Sequence, residues 1–190
     1  MTELWNRWVS AELAVLDYIS VHFTNDFLDA VLPFLTSLCN HGEIWILMAL
    51  VFLLFAGTRH MGAAMFMALF FGFVAGNVVL KPLVARVRPY ELAGVALLVP
   101  PLADFSFPSG HTLASFAASG VLMFTDKRFG IPALVFAAVI AFSRLYLYVH
   151  FPTDVAAGIL LGLVFAALAV RLTARLERRF PAVFPNAARH

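Results

Sequence analysis

Charge is the scarcest commodity in this sequence: only 13% of its 190 residues are Asp, Glu, Lys or Arg, about half the ~25% of an ordinary soluble domain. Cysteine occurs once, as Cys39, so neither an intramolecular disulfide nor a Cys-rich metal site can be built within the chain. The carboxylates are few and scattered; Asp104 and Glu91 stand apart, and no cluster with metal-ligand spacing is apparent. Basic residues number 13 against 11 acidic, and they are spread along the chain rather than gathered into a nucleic-acid footprint. Low-complexity tracts and fixed-period repeats are missing too. No charged start leads into an apolar core and a small-residue cleavage site, so no secretory signal is expected.

What fills the sequence instead is apolar: hydrophobic residues make up 62% and the mean hydropathy is +0.90. That excludes a disordered chain and argues against a soluble enzyme; the excess must face lipid.

A membrane-spanning helix needs roughly 17–25 mostly apolar residues. Residues 44–57, 61–80, 111–125, 131–149 and 155–170 qualify or nearly so. The first, third and fifth are short, and their flanks are expected to complete the crossing. Small residues recur along them (Gly72, Gly76, Ala117, Gly158, Gly162), as close helix packing in lipid requires. The N-terminal third reads differently. Residues 4–23 carry Arg7, Glu12 and Asp17, and residues 25–38 carry Asp26, Asp29 and Pro33, which suggests amphipathic helices lying at the interface or dipping into it. The chain therefore divides into an N-terminal amphipathic or first membrane segment (1–38), a transmembrane core (39–172) and a basic tail (173–190).

Arg59, Lys127, Arg128, Arg171, Arg175, Arg178 and Arg179 all fall at ends that alternating crossings place on one face, which the positive-inside rule makes cytoplasmic. The opposite face receives Lys81, Arg86, Arg88 and Arg144, against that rule. Something anionic must justify them.

Three separated segments meet on that outer face. The first is Lys81 with Arg88-Pro89, the second Pro108-Ser109-Gly110-His111, the third Ser143-Arg144 followed by His150 and Asp154. One crossing ends at Lys81, the next begins at Ser109, another returns to His150, and the last leaves from Asp154. All three segments thus lie at one depth. Lys81, Arg88 and Arg144 are suited to phosphate oxygens. Ser109 and Gly110 open a helix whose free N–H groups attract an anion. His150 can attack phosphorus while Asp154 fixes its tautomer. His111 can protonate the departing oxygen.

Lys-x6-Arg-Pro, Pro-Ser-Gly-His and Ser-Arg-x5-His-x3-Asp, in that order, resemble the signature of the type-2 phosphatidic acid phosphatase superfamily, and the match spans residues 81–154. The resemblance implies an all-α integral-membrane bundle of six helices, made of five firm spans plus the N-terminal segment. It implies metal-independent hydrolysis, no cofactor, and a phosphohistidine intermediate. By position, His150 would be the nucleophile, Asp154 its partner and His111 the acid/base. Lys81, Arg88, Ser109, Gly110 and Arg144 would bind phosphate.

Each residue also has an ordinary reading. Ser109 and Asp154 suit helix starts, and those roles can coexist with chemistry. His22, His41 and His60 fit no constellation. Arg86 either joins the pocket or meets lipid headgroups. Tyr90, Tyr146, Tyr148, Trp5, Trp8 and Trp45 suit an aromatic belt.

The expected function is a lipid phosphatase of the bacterial cytoplasmic membrane with its pocket facing the periplasmic or extracellular side. Its small size resembles members that convert undecaprenyl pyrophosphate to undecaprenyl phosphate. Phosphatidic acid, phosphatidylglycerophosphate and lipid A are the alternative substrates. A transporter would need polar residues through the full membrane thickness, and crossings 44–57, 111–125 and 155–170 carry no charge. A soluble vanadium-dependent haloperoxidase, which shares a similar pocket, is disfavoured by the lipid-length apolar runs. The expected partners are the bilayer and a lipid or polyprenyl phosphate, without nucleic acid; oligomeric state is left open.

Overall fold

In the computed structural model, which describes residues 2–180 and 183, every regular element is helical. The chain runs through α1 (Thr2–Phe23), α2 (Asp26–Ser37), α3 (Glu43–Leu54) and α4 (Arg59–Gly72). A π-helical stretch, Phe73–Leu80, leads into the short α5 (Lys81–Val84) and α6 (Pro89–Ala93). After a loop come α7 (Gly110–Thr125), α8 (Lys127–Tyr146) and α9 (Pro152–Arg179).

Local chemistry sets the joints. Asn25 Oδ1 accepts from Leu28 N at 3.0 Å and caps α2. Asp126 alone separates α7 from α8; its Oδ1 accepts from Arg128 N at 2.9 Å, so one residue ends one helix and caps the next. Pro152 enters α9 where no N–H is needed.

α7 is the central helix, buried along most of its length and packed by α4, α8 and α9, with α3 against α4. Glycines allow α9 to lie against α7. A Cβ on Gly162 would stand 2.8 Å from Ala117 N and Leu113 O, and one on Gly158 3.0 Å from Ser109 O. In lipid such backbone-close packing replaces the hydrophobic drive between helices.

Three helical stretches are long and apolar enough to cross a membrane: Arg59–Ala93, Lys127–Tyr146 and Pro152–Arg179. The expected completion of the first crossing by its flanks does not occur. Gly42 (φ 78°) starts α3 and extended Phe55 ends it, leaving 12 residues, about 18 Å at ~1.5 Å per residue. The last crossing, read as residues 155–170, is lengthened at both ends by its flanks as expected: it begins at Pro152, and Arg171, Arg175 and Arg178, good helix formers, continue α9 to Arg179. The tail expected from 173 is thus helical at its start; its residues 181, 182 and 184–190 lie outside the described residues.

α1 and α2 pack on α8, and α1 also on α9. Ile19 and Leu32 join Tyr146, Leu147 and Val149 in a second apolar cluster beneath the α8–α9 loop. Three of the carboxylates that gave this region its amphipathic look have partners on other elements, although only Glu12 among them is buried. Tyr148 OH donates to Asp17 Oδ1 at 2.8 Å, Tyr146 OH donates to Asp29 Oδ1 at 2.5 Å, and Glu12 pairs with Arg86. This corrects the aromatic-belt reading of Tyr146 and Tyr148, both buried. Trp45 is buried as well, its Nε1 donating to Ser115 Oγ at 3.0 Å, and Tyr90 donates to Leu102 O at 3.1 Å. Of the six aromatics assigned to a belt, Trp5 and Trp8 alone keep exposed rings.

Candidate active site

The end of the π-helical stretch, the start of α7, the end of α8 with its following loop, and the start of α9 converge on a cavity of about 900 Å³. Lys81, Arg88, Gly110, His111, Arg144 and His150 line it. Ser109 and Asp154 do not. Ser109 is fully buried; its N–H donates to Asp154 O at 3.2 Å and its hydroxyl lies 2.9 Å from Thr112 Oγ1. It ties the α7 start to the α9 start. Asp154 sits behind His150.

His150 is 1% exposed. Its Nε2 lies 3.3 Å from Arg88 Nη1, and its Nδ1 lies 3.7 Å from Asp154 Oδ2 and 3.5 Å from Ser106 Oγ. A guanidinium can only donate, so Nε2 carries the lone pair and Nδ1 the hydrogen. The lone pair therefore belongs to the nitrogen beside the Arg88 guanidinium. Burial, with Arg88 and Arg144 nearby, pushes the imidazole from 6.5 down to about 3 against the opposing pull of Asp154. His150 is thus neutral at physiological pH, as a nitrogen nucleophile must be.

Asp154 Oδ2 accepts from Ser106 Oγ at 2.5 Å and from Phe151 N at 2.9 Å. The second bond returns a side chain of the first helical turn to the residue before it, so the helix-start and histidine-partner readings coexist. Arg86 Nη1 donates to Asp154 Oδ1 at 2.6 Å, so Arg86 braces Asp154 from behind and does not line the cavity.

The cations differ in their company. Arg88 is held by Asp104 O at 2.8 Å, Asp104 Oδ1 at 2.6 Å and Val149 O at 2.7 Å, and Lys81 also pairs with Asp104. Asp104, read from the sequence as standing apart, is therefore a cavity residue. Burial alone would raise its carboxyl, but the hydrogen bonds and charges of Lys81 and Arg88 outweigh this and hold it at about 2. Arg144, 2% exposed, donates to Thr36 Oγ1 at 2.7 Å, and its Nε has no partner. Among the described residues no carboxylate pairs with it.

His111 is half-buried, its Nε2 3.2 Å from Asn40 Oδ1. His41 lies at the rim, exposed and paired with Glu43, while His60 and His22 are away from the cavity. Asn77, one turn before Lys81 on the π-helical stretch, also lines it. Sequence reasoning passed over Thr36, Asn40, Asn77, Asp104 and Ser106. Only the last two carried a signal, as polar residues just ahead of the Pro-Ser-Gly-His turn. Beyond the charged end the wall is apolar, with Ile46, Phe66, Leu69, Phe70 and Phe73. Among the described residues no group of three or more His, Cys, Asp or Glu is placed to hold a metal ion.

The arrangement gathers a buried neutral histidine backed by a carboxylate, a second histidine and three cations at one end of an apolar-walled cavity. Comparison with known proteins identifies the family. The PAP2 superfamily model matches residues 57–178. An undecaprenyl-diphosphatase of Sulfolobus acidocaldarius is 34% identical over 131 residues, which is 68% of this chain and 63% of that protein's length. The undecaprenyl-diphosphatase BcrC of Bacillus subtilis is 28% identical over 155 residues, covering 78% of this chain and 77% of its own. The crystal structure of a transmembrane PAP2 type phosphatidylglycerolphosphate phosphatase from Bacillus subtilis superposes with a TM-score of 0.73 at 27% identity, covering 91% of this chain and 89% of that one.

Proposed function

The chain belongs to the PAP2 superfamily, and on that premise we propose that it is a multi-pass membrane lipid phosphatase acting through a phosphohistidine, with undecaprenyl pyrophosphate as its substrate. The observation that carries the reading is Arg144, a buried cation with no carboxylate paired to it among the described residues, on the same cavity as a neutral buried histidine. A phosphoryl group supplies the missing charge.

Lys81, Arg88, Arg144 and the N-terminal N–H of α7 at Gly110 bind the terminal phosphate. His150 Nε2 attacks phosphorus, the bond to the bridging oxygen breaks, and His111 delivers a proton to that oxygen as the lipid phosphate departs. Asp154 steadies the positive imidazole. Water, deprotonated by His111, then attacks the phosphohistidine; inorganic phosphate leaves and His150 is restored. Charge in the transition state is met by fixed guanidinium and ammonium groups, so the step needs neither metal nor cofactor. The apolar wall accepts the first part of a lipid chain, which supports a substrate arriving within the bilayer. The basic ends of the other face support a cavity on the periplasmic or extracellular side of a bacterial cytoplasmic membrane.

The names of the two matched relatives favour the prenyl diphosphate; the name of the solved Bacillus structure favours phosphatidylglycerolphosphate. Purified protein in detergent, given a prenyl diphosphate and glycerophospholipid monoesters with and without EDTA, distinguishes them. Fastest phosphate release from the diphosphate, insensitive to EDTA, is expected. Release only from monoesters would replace the substrate, and activity restored by magnesium after EDTA would replace the mechanism.

A further inference from the structure

Glu12, in the middle of α1, is buried although most of that helix is exposed. Its Oε1 accepts from Thr153 N at 3.0 Å and Thr153 Oγ1 at 2.5 Å, and its Oε2 accepts from Trp8 Nε1 at 3.0 Å and pairs with Arg86 Nη2. The other terminal nitrogen of Arg86 donates to Asp154 Oδ1 at 2.6 Å and to Thr153 Oγ1 at 2.8 Å, while the guanidinium lies 3.8 Å above the Phe151 ring. One arginine is therefore shared between the carboxylate behind His150 and a carboxylate from a helix outside the family-matched residues 57–178.

The charge count gives this sharing a consequence. Asp154 must offer negative charge to His150 as its ring becomes positive during attack on phosphorus. A buried Arg86 with no other partner would neutralise Asp154 from behind and weaken that support. Glu12 takes up the Arg86 charge. Two carboxylates and one guanidinium leave one net negative charge, directed at His150. The Thr153 bonds also fix the turn that joins His150 to Asp154.

We infer that Glu12 is a positioning residue for the phosphatase reaction: through Arg86 and Thr153, α1 keeps Asp154 both placed and negative toward His150. The inference rests on the assignment of His150 and Asp154 given above.

The test compares full-length wild type, Glu12→Gln, the charge-balanced pair Glu12→Gln/Arg86→Gln, and His150→Ala, each checked for a monodisperse folded state in detergent. With a prenyl diphosphate, Glu12→Gln is expected to lower kcat about 10–100-fold, the range for outer partners of a working histidine, with KM within about threefold. Removing both charges is expected to restore kcat to within about fivefold of wild type, because neighbouring charges couple non-additively. A purely structural Glu12 gives the opposite order, since the pair loses more contacts than the single variant. A pair no better than Glu12→Gln, or a fully active Glu12→Gln, overturns the inference. If Glu12→Gln alone fails to fold, the pair decides: active supports it, inactive overturns it. Turnover by His150→Ala overturns the site assignment and this inference together, whereas an inactive His150→Ala beside a normal Glu12→Gln removes only the inference.

Discussion

Arg144 shows how differently a single residue behaves in stability and in catalysis. Its guanidinium is buried against one hydroxyl, that of Thr36, with Nε unpartnered. A buried cation without a counter-ion is a cost to the fold. Arg144→Met is therefore expected to melt at the wild-type temperature or above it, while kcat falls about 10²–10³-fold, as when a group facing transition-state charge is removed. A clear loss of thermal stability with kcat little changed would make Arg144 structural. His150 makes a pH prediction. Its imidazole titrates at about 3 when folded against 6.5 when free. Below the free value the unfolded chain binds a proton that the folded protein refuses, so stability falls as pH drops through that window. Melting at about pH 7 and about pH 5 should show a larger loss for wild type than for His150→Gln; equal losses would contradict the buried neutral ring. The motif residues were legible because their spacing is local. Asp104, Ser106 and Thr36 were not, because each acquires its role from a partner far away in sequence: Lys81 and Arg88, Asp154, and Arg144 respectively.

Among the elements, α7 and α9 carry the site's geometry, since Gly110 begins one and Asp154 lies in the first turn of the other. Their separation is set at Gly162, where a methyl group would press on the α7 backbone at Ala117 and Leu113. Backbone cannot give way as a flexible side chain can, so Gly162→Ala is expected to push the helices apart. Lower melting temperature and reduced kcat should appear together, with the protein still inserted; unchanged values for both would show that the close approach is dispensable. Hydropathy located the long helices well. It failed at α3, where the Gly42 turn and extended Phe55 cut an apolar run short, whereas at α9 helix-forming arginines outlast the apolar pattern and supply the flank the short run required. It was least informative for α1 and α2, whose Glu12, Asp17 and Asp29 suggested amphipathic helices at the interface but gave no sign of their partners Arg86, Tyr148 and Tyr146.

At the scale of the whole molecule, a bundle of helices brings Lys81, Arg88 and Arg144 to one cavity whose remaining wall is largely apolar. Alternating crossings bring the ends of α4–α5 and α8 to the starts of α7 and α9, which is why three motifs distant in sequence share one cavity. That parity was readable from the spacing of apolar runs, whereas the contribution of the N-terminal helices to bracing the site was not. The account stands on covalent catalysis by His150. Rapid acid-free quenching of the purified protein with a prenyl diphosphate labelled in its terminal phosphate tests it most directly. The expected result is a burst of protein-bound label, stable to base and labile to acid, that maps to His150 and is absent from His150→Ala. Turnover with no such label, or a His150→Ala variant within about tenfold of wild type, would contradict it.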